Sequence, residues 1–184
     1  PAKDDADAQE RFLGIMGEHA TRMQRLIEDL LSLSRIELRE HMPPRGTVSV
    51  SGLVKDVVDA IGPIAERDQV TIDVAMPDDL PMIRGDWDEL LQVVQNLVDN
   101  AVKYGQSGGR VEISADRIDG LSDSSDGTCV ELKVRDFGPG IPREQIPRLT
   151  ERFYRIDVTT SRERGGTGLG LAIVRTFVVS DLGG

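Results

Sequence analysis

The sequence predicts an α/β two-layer sandwich, in which a mixed sheet carries helices on one face, preceded by one long N-terminal helix. Two observations predict this fold. Stretches with apolar residues three and four positions apart alternate with short runs in which every second residue is apolar, and these are the periods of helices and strands. The run Met42-Pro43-Pro44 ends the first helix, because proline forces the preceding residue out of helical geometry. We therefore divide the chain into residues 1–44 and 45–184.

Composition narrows the class of protein. The 184 residues suit one domain with an appendage, and the 39% of hydrophobic residues can form a core. A net charge of −10 argues against nucleic acid as a partner and against a polybasic membrane anchor. A single cysteine, Cys129, and two histidines, His19 and His41, argue against disulfides and a multi-histidine metal centre. Because there is no apolar run of about eighteen residues, we expect a soluble, cytoplasmic segment.

The first helix, predicted to end near Glu40, carries a seam of apolar residues. Steps of three and four separate Phe12, Met16, His19, Met23, Leu26, Leu30 and Leu33. This spacing is typical of a coiled coil or four-helix bundle. A lone helix cannot hide such a surface, and we see no partner helix within the chain. We therefore expect a homodimer formed through this helix.

Short strands and helices follow the proline pair. Their apolar spacing predicts a strand near Val48, helices at about 51–67 and 169–179, and strands at 70–75, 110–117 and 130–134, with an extended piece at 82–84. The last two strands flank a polar turn and are predicted to form a hairpin. Residues 142–166 are charged and rich in glycine and arginine, with Phe153 and Tyr154 as the aromatic anchors. We expect this segment to be a lid rather than a packed element.

A helix predicted over Trp87–Tyr104, with Asp86 as its N-cap, carries the first candidate site. Its apolar stripe consists of Leu90, Val93, Val94, Leu97, Val98 and Ala101. A polar row on another side consists of Gln92, Asn96, Asn100 and Lys103. Amide oxygens suit magnesium, and a lysine is a point charge for phosphate. The same row would equally suit a solvated helix face, so it does not decide the function alone.

Two glycine-rich segments follow this helix. Asp136-Phe137-Gly138-Pro139-Gly140-Ile141 comes where a strand ends, and its carboxylate can accept the exocyclic amine of adenine. Gly165-Gly166-Thr167-Gly168-Leu169-Gly170-Leu171 runs into the last helix, where free N–H groups and the helix dipole can bind phosphate. Each segment alone could be a plain turn. Neither a P-loop lysine nor a dinucleotide fingerprint is present.

The order of the motifs is more informative than any one of them. An N-x-x-x-N-x-x-K-Y helix, a D-x-G-x-G strand end, an F-Y-R segment and a G-G-T-G-L-G helix start occur in sequence. This arrangement resembles the catalytic, ATP-binding domain of sensor histidine kinases, which has the Bergerat fold shared with DNA gyrase and the mismatch-repair ATPases. The resemblance covers nearly the whole chain. The run from Asp29 to Glu37 is similar to the second helix of the dimerisation and phosphotransfer hairpin in kinases of the phosphate-regulon sensor type.

The resemblance implies a site for ATP and Mg²⁺. Asn100 would coordinate magnesium, and two residues would be catalytic: Asn96, which would polarise the metal-bound water or phosphate, and Lys103, which would hold the phosphates. Tyr104 would pack near the sugar or base, and Asp136 would recognise adenine. Further nucleotide contacts would come from Gly138, Gly140, Ile141, Phe153, Arg155, Arg162, Gly166, Thr167, Gly168, Leu169 and Gly170.

The resemblance also implies an activity and its partners. Residues 45–184 would be the catalytic domain without its last strands, and residues 1–44 the second helix of the dimerisation and phosphotransfer domain. The γ-phosphate would pass to a histidine outside this chain, and thence to the aspartate of a response-regulator receiver domain. Neither His19 nor His41 is followed by an acidic residue, so we expect no self-phosphorylation. The chain would be the cytoplasmic portion of a bacterial inner-membrane sensor, with membrane contact only through segments outside it.

Two other functions stay open from the sequence. One is a Bergerat-fold ATPase that is not a kinase. Gyrase-type ATPases place a glutamate base where this chain has Asn96, and an amide activates water weakly, which argues against this function. The other is a catalytically incompetent interaction module that dimerises through the first helix. Nucleotide titration separates these functions, because only the interaction module fails to bind ATP.

Overall fold

The computed structural model describes residues 6–39, 46–119, 128–156 and 166–181. His41, the Met42-Pro43-Pro44 boundary and Arg162 lie outside the described residues, as does the 157–165 part of the predicted lid. The helices are α1 (Ala6–Arg39), α2 (Val50–Arg67), α3 (Trp87–Tyr104) and α4 (Gly170–Asp181). The strands are β1 (Thr47–Val48), β2 (Thr71–Ala75), β3 (Ile83–Arg84), β4 (Arg110–Asp119) and β5 (Thr128–Asp136). The predicted order of helices and strands is confirmed.

The larger sheet has three strands in the order β2-β4-β5. β2 runs parallel to β4, with Ile72 opposite Val111, and β4 runs antiparallel to β5 from Val111 opposite Asp136 to Asp119 opposite Thr128. The sheet is therefore mixed and contains the predicted hairpin. β1 and β3 form a separate antiparallel pair, with Val48 opposite Ile83. The antiparallel pairing places Asp136 at the end of β5, beside the start of β4.

Side-chain caps start the two central helices. The Ser49 hydroxyl accepts the Gly52 N–H at 3.2 Å before α2. The Asp86 carboxylate accepts the N–H groups of Asp88 and Glu89 before α3, which confirms the predicted N-cap. A carboxylate here satisfies unpaired donors and interacts favourably with the helix dipole.

The core lies between the α2–α3 layer and the three-stranded sheet. Its buried residues are Val50, Val54, Val57, Ile61, Ala65, Val70, Val94, Val98, Ala101, Val102, Val111, Ile113 and Ala115. The predicted stripe of α3 needs two corrections. Val102 is fully buried, and Leu97 lines a cavity instead of joining this buried cluster. The burial of Val102 follows from the breadth of the core, because the sheet and α2 together cover a wider arc of α3 than one stripe.

The C-terminal part of α1 packs within the chain. Leu33 and Ile36 are buried against Leu169 and Ile173 at the start of α4. The inference that no helix in the chain partners α1 is therefore wrong for this part, because α4 supplies the partner surface. The rest of the predicted seam is open: the exposed fractions of Phe12, Met16, Met23 and Leu30 are 64%, 52%, 63% and 46%. Neither α1 nor another helix of the described ranges meets the length and apolarity that a membrane span needs.

Candidate functional site

A cavity of about 1230 Å³ lies at the junction of α1, α3, the end of β5 and the glycine segment before α4. The whole polar row of α3 lines it: Gln92, Asn96, Asn100 and Lys103. Asp136 and Gly138 line it from the β5 end, and Gly166 and Gly168 line it from the segment before α4. Stretches far apart in the sequence thus converge on one cavity.

The amide of Asn96 has an unsatisfied donor. Its Nδ2 atom is buried and has no hydrogen-bond partner among the described residues. Leaving a buried donor unpaired costs about 1–3 kcal/mol, which a bound acceptor would recover. Two turns further along α3, Lys103 Nζ forms an ion pair with Asp99 Oδ2 at 2.5 Å. The lysine therefore sits at the cavity wall with a carboxylate partner that a phosphate could replace.

Asp136 is held at the end of β5 by a short turn. The Asp136 Oδ1 atom accepts the Gly138 N–H at 3.0 Å. The backbone at Gly138 passes close to α3, since a Cβ there would lie 2.7 Å from the Tyr104 carbonyl oxygen. Gly140 has a φ of +74°, a conformation that side chains other than that of glycine rarely adopt. This close approach leaves the Asp136 carboxylate at the cavity edge.

The glycine segment before α4 is anchored by residues of the F-Y-R motif. The Phe153 N–H donates to the Gly168 carbonyl at 2.8 Å, and the Arg155 guanidinium donates to the Gly166 carbonyl. Gly168 has a φ of +76°, and a Cβ there would lie 2.9 Å from the Phe153 backbone. The two motifs, adjacent to residues 157–165, therefore form one anchored unit.

The Tyr154 side chain extends this unit toward the preceding turn. Its hydroxyl donates to Gln145 Oε1, and the Arg148 guanidinium lies 4.2 Å from its ring centroid. Residues 146–148 form a 3₁₀ turn. The described part of the predicted lid, residues 142–156, therefore makes specific side-chain contacts, contrary to the expectation of an unpacked segment.

Thr167 connects the glycine segment to α1. Its hydroxyl accepts the Leu169 N–H at 3.3 Å and donates to Asp29 Oδ2 at 2.6 Å. Burial raises the pKa of the Asp29 carboxyl above its ordinary value, although the Thr167 hydrogen bond opposes this shift. Asp29 lines the cavity together with Arg25 and Glu28 of α1. These three residues were missed because the first helix was assigned to a separate domain.

Most of the predicted nucleotide-binding residues line this cavity. They are Asn96, Asn100, Lys103, Tyr104, Asp136, Gly138, Gly140, Ile141, Arg155, Gly166, Thr167, Gly168 and Gly170. Phe153 and Leu169 are predicted residues that do not line it. The Phe153 side chain is 56% exposed, and Leu169 is fully buried against α1. Both contribute through their backbone N–H groups, which position Gly168 and Thr167.

The oxygen atoms at this site suit a metal ion that is bound mainly by phosphate and water. Within the described ranges, no group of three or more histidine, cysteine, aspartate or glutamate side chains could hold a metal ion. Asn100 lines the cavity and offers one amide oxygen. Magnesium is often bound by one or two protein oxygens, with phosphates and waters completing its octahedron. A metal here would therefore need a phosphate ligand.

Relatives of this chain are sensor kinases. It is 32% identical to the sensor histidine kinase WalK of Bacillus subtilis over 96% of this chain and 28% of that protein. It is 37% identical to the phosphate regulon sensor protein PhoR of Pseudomonas aeruginosa over 92% of this chain and 36% of that protein. The chain thus spans well under half the length of these relatives.

A solved structure and a family model agree with these relatives. The crystal structure of full-length ShkA in complex with AMPPNP superposes with a TM-score of 0.73 at 28% identity, covering 96% of this chain and 34% of that one. Residues 85–184, which include α3, the Asp136 turn and the glycine segment, match the family model described as histidine kinase-, DNA gyrase B- and HSP90-like ATPase. The chain therefore belongs to this ATPase family, and within it to the type found in sensor histidine kinases.

Proposed function

We propose that this chain binds ATP with magnesium and is the ATP-binding catalytic part of a sensor histidine kinase. One observation carries the proposal: the polar row of α3, Asp136 and the glycine segment meet in one cavity, where the buried Asn96 amide lacks a partner. Such an arrangement offers a carboxylate for the adenine base, a cation for phosphate and an unpaired hydrogen-bond donor. The similarity to WalK and PhoR supports a kinase over other members of the family.

Each part of the cavity has a role in holding ATP. The Asp136 carboxylate accepts a hydrogen bond from the exocyclic amine of adenine. Gly138 has no Cβ, so the base can approach the backbone there. Lys103 exchanges its ion pair with Asp99 for one with the phosphates. The glycine segment supplies backbone N–H groups at the start of α4. Asn100 would hold Mg²⁺, and Asn96 would donate to a phosphate oxygen.

The reaction is transfer of the γ-phosphoryl group to an imidazole nitrogen. The bond between the γ-phosphorus and the bridging oxygen breaks, a phosphorus–nitrogen bond forms, ADP leaves, and the imidazole loses its proton. Bound magnesium would neutralise charge on the phosphates. Lys103 and the glycine N–H groups orient the phosphates, while the neutral Asn96 leaves water poorly activated. Transfer to a protein is therefore favoured over hydrolysis.

We infer that the acceptor histidine lies outside this chain. His19 is exposed near the middle of α1, and the residue that follows it is Ala20, so the acidic residue that would take the ring proton is missing from that side. We infer that the phosphoryl group passes onward to the aspartate of a response-regulator receiver domain. The open apolar seam of α1 supports pairing with a second copy. The relatives are sensor proteins, which supports the cytoplasmic portion of a membrane sensor as the location.

Calorimetric titration with the nonhydrolysable analogue AMPPNP tests the site. Binding should be tighter with magnesium than with EDTA, and Asn100→Ala should abolish most of that gain. Asn96→Ala should instead weaken binding in both buffers, because it removes a phosphate donor. Gln9→Ala, an amide change on the exposed start of α1, is the control. Equal affinity and equal magnesium dependence in wild type and Asn100→Ala would contradict the metal assignment.

Phosphoryl transfer distinguishes a kinase from other ATPases. The chain is incubated with γ-labelled ATP and the separate dimerisation and phosphotransfer domain of PhoR or WalK. We expect acid-labile label on the added domain, none on the chain alone, and a large loss with Asn96→Ala. Release of inorganic phosphate without label on the acceptor would identify a hydrolytic ATPase. Failure to bind AMPPNP at all would identify an interaction module.

A further inference from the structure

The C-terminal part of α1 reaches the phosphate-binding side of the cavity. Leu33 and Ile36 fix it against Leu169 and Ile173, with exposed fractions of at most 5% for all four side chains. A polar contact adds to this packing, since the Ser32 hydroxyl donates to Gln92 Oε1 of α3. The helix is therefore held at two points, on α3 and on the segment before α4.

This docking brings a carboxylate to the glycine segment. Asp29 Oδ2 lies 2.6 Å from the hydroxyl of Thr167, the residue between Gly166 and Gly168 in the chain. Lys103 is near enough to act electrostatically on Asp29, and so are Arg25 and Glu28 of the same helix. One wall of the cavity thus carries a negative charge where a triphosphate would bring several more.

We propose that Asp29 is an electrostatic gate on the phosphate end of the nucleotide site. While α1 is docked, the Asp29 carboxylate repels the terminal phosphate and accepts a hydrogen bond from the Thr167 hydroxyl. It also attracts the positive charge of Lys103, which is then less available to the phosphates. This inference rests on the proposed function, because it needs phosphate at the glycine segment. It assigns a binding role to a residue of α1, outside the segment 85–184 that the family model matches.

The gate couples the position of α1 to nucleotide affinity. A movement that withdraws Asp29 would leave Thr167 and Lys103 to the phosphates, so the affinity would rise. By linkage, bound triphosphate would weaken the docking of α1 by the same factor. The half-buried position of Asp29 favours such release, because the docked carboxylate has lost part of its hydration, which disfavours its ionised form. A signal that moves this helix would thereby reach the site.

Asp29→Asn isolates the charge. The asparagine keeps an oxygen that can accept the Thr167 hydroxyl, so α1 can stay docked, while the negative charge is lost. Glu10→Gln is the control, because it removes one charge from an exposed position of the same helix. Its distance along α1 is nineteen residues, or roughly 28 Å at about 1.5 Å per residue.

AMPPNP and adenosine are titrated into wild type and both variants, with EDTA and again with magnesium. We expect Asp29→Asn to bind AMPPNP about three- to tenfold more tightly, the size expected for one repulsive charge in a partly solvated site. Adenosine, which lacks phosphates, should bind all three proteins equally, and Glu10→Gln should match wild type for both ligands.

Three results would overturn the gate. Unchanged AMPPNP affinity in Asp29→Asn, with wild type still binding, removes the gate and leaves the proposed function intact. Weaker binding in Asp29→Asn only with magnesium would make Asp29 a metal ligand. If wild type binds neither AMPPNP nor adenosine, the proposed function fails and the gate fails with it.

Discussion

The Asn96 side chain touches the start of α4 at Gly170. A Cβ built on Gly170 would lie 3.1 Å from Asn96 Oδ1 and 3.3 Å from Asn96 Cγ, closer than an ordinary van der Waals contact. Gly170→Ala must therefore push the amide by a few tenths of an ångström. We expect about tenfold slower phosphoryl transfer, since misplacement by about 1 Å can cost about a hundredfold. The measurement is label transferred per minute to the added phosphotransfer domain.

A matched glycine substitution separates this effect from a general change in helix stability. Gly14 lies within α1, and a Cβ there would meet nothing within 4 Å. Gly14→Ala should raise the unfolding free energy by about 0.5–1 kcal/mol and leave transfer unchanged. If Gly170→Ala also transfers at the wild-type rate, the position of the Asn96 amide does not limit the reaction.

The backbone at Gly168 predicts a loss of stability. Both Gly168 and Gly140 have positive φ, which costs about 1–2 kcal/mol for a residue with a Cβ. At Gly168 the Cβ would also lie 2.9 Å from the Phe153 backbone, whereas at Gly140 it would meet nothing within 4 Å. We therefore expect Gly168→Ala to lower the urea midpoint more than Gly140→Ala, with equal slopes. Equal midpoints would show that Phe153 moves aside freely.

The sequence alone predicted α3 accurately. Its bounds agree residue for residue, because Asp86 caps the start and Gly105 follows the end. The strands β4 and β5 were predicted too short: their ladder continues to Ile118 opposite Cys129 and Asp119 opposite Thr128, in residues where apolar alternation has stopped. Pairing with a neighbouring strand extends such residues, and local periodicity carries no information about that neighbour.

The sequence alone predicted which side of α3 lines the cavity, but it did not predict that α1 forms another wall of the cavity. The polar row from Gln92 to Lys103 was identified because helix spacing fixes which residues share a side. The contact between Asp29 and Thr167 joins residues 138 positions apart, so no local pattern could predict it. The spacing of the α1 seam is also ambiguous, because packing on α4 and packing on a second copy require the same steps of three and four.

Docking of α1 predicts different effects for two leucines two positions apart. The exposed fraction of Leu33 is 2%, against Leu169 and Ile173, whereas that of Leu31 is 53%. Leu33→Ala should lower the unfolding free energy by about 2–4 kcal/mol, because it leaves a cavity between α1 and α4. Leu31→Ala should change it by less than about 0.5 kcal/mol.

The leucine experiment needs dilute protein, because an exposed leucine could contribute to pairing between copies. Chemical unfolding is followed at several protein concentrations, and the values where the midpoint no longer depends on concentration are compared. Equal losses for Leu33→Ala and Leu31→Ala would mean that α1 is not docked on α4 in solution.

The pKa of Asp29 predicts how stability depends on pH. Burial raises it from its ordinary value of 3.8; the neighbouring Glu28 adds to the rise, and Thr167, Lys103 and Arg25 oppose it. A carboxyl with a higher pKa in the folded state binds its proton more tightly there than in the unfolded state. Its ionisation therefore destabilises the fold at neutral pH, and this cost disappears as the pH falls through the raised pKa toward 3.8.

Asp29→Asn removes this cost at every pH. The variant should therefore be more stable than wild type at neutral pH, and the difference should shrink as the pH falls through the raised pKa of Asp29 and level off below its ordinary value. Urea unfolding across this range measures the difference, with Asp7→Asn, an exposed position of α1, as the charge-matched control. A difference that grows on acidification would mean that the Thr167 hydrogen bond outweighs burial and lowers the pKa of Asp29.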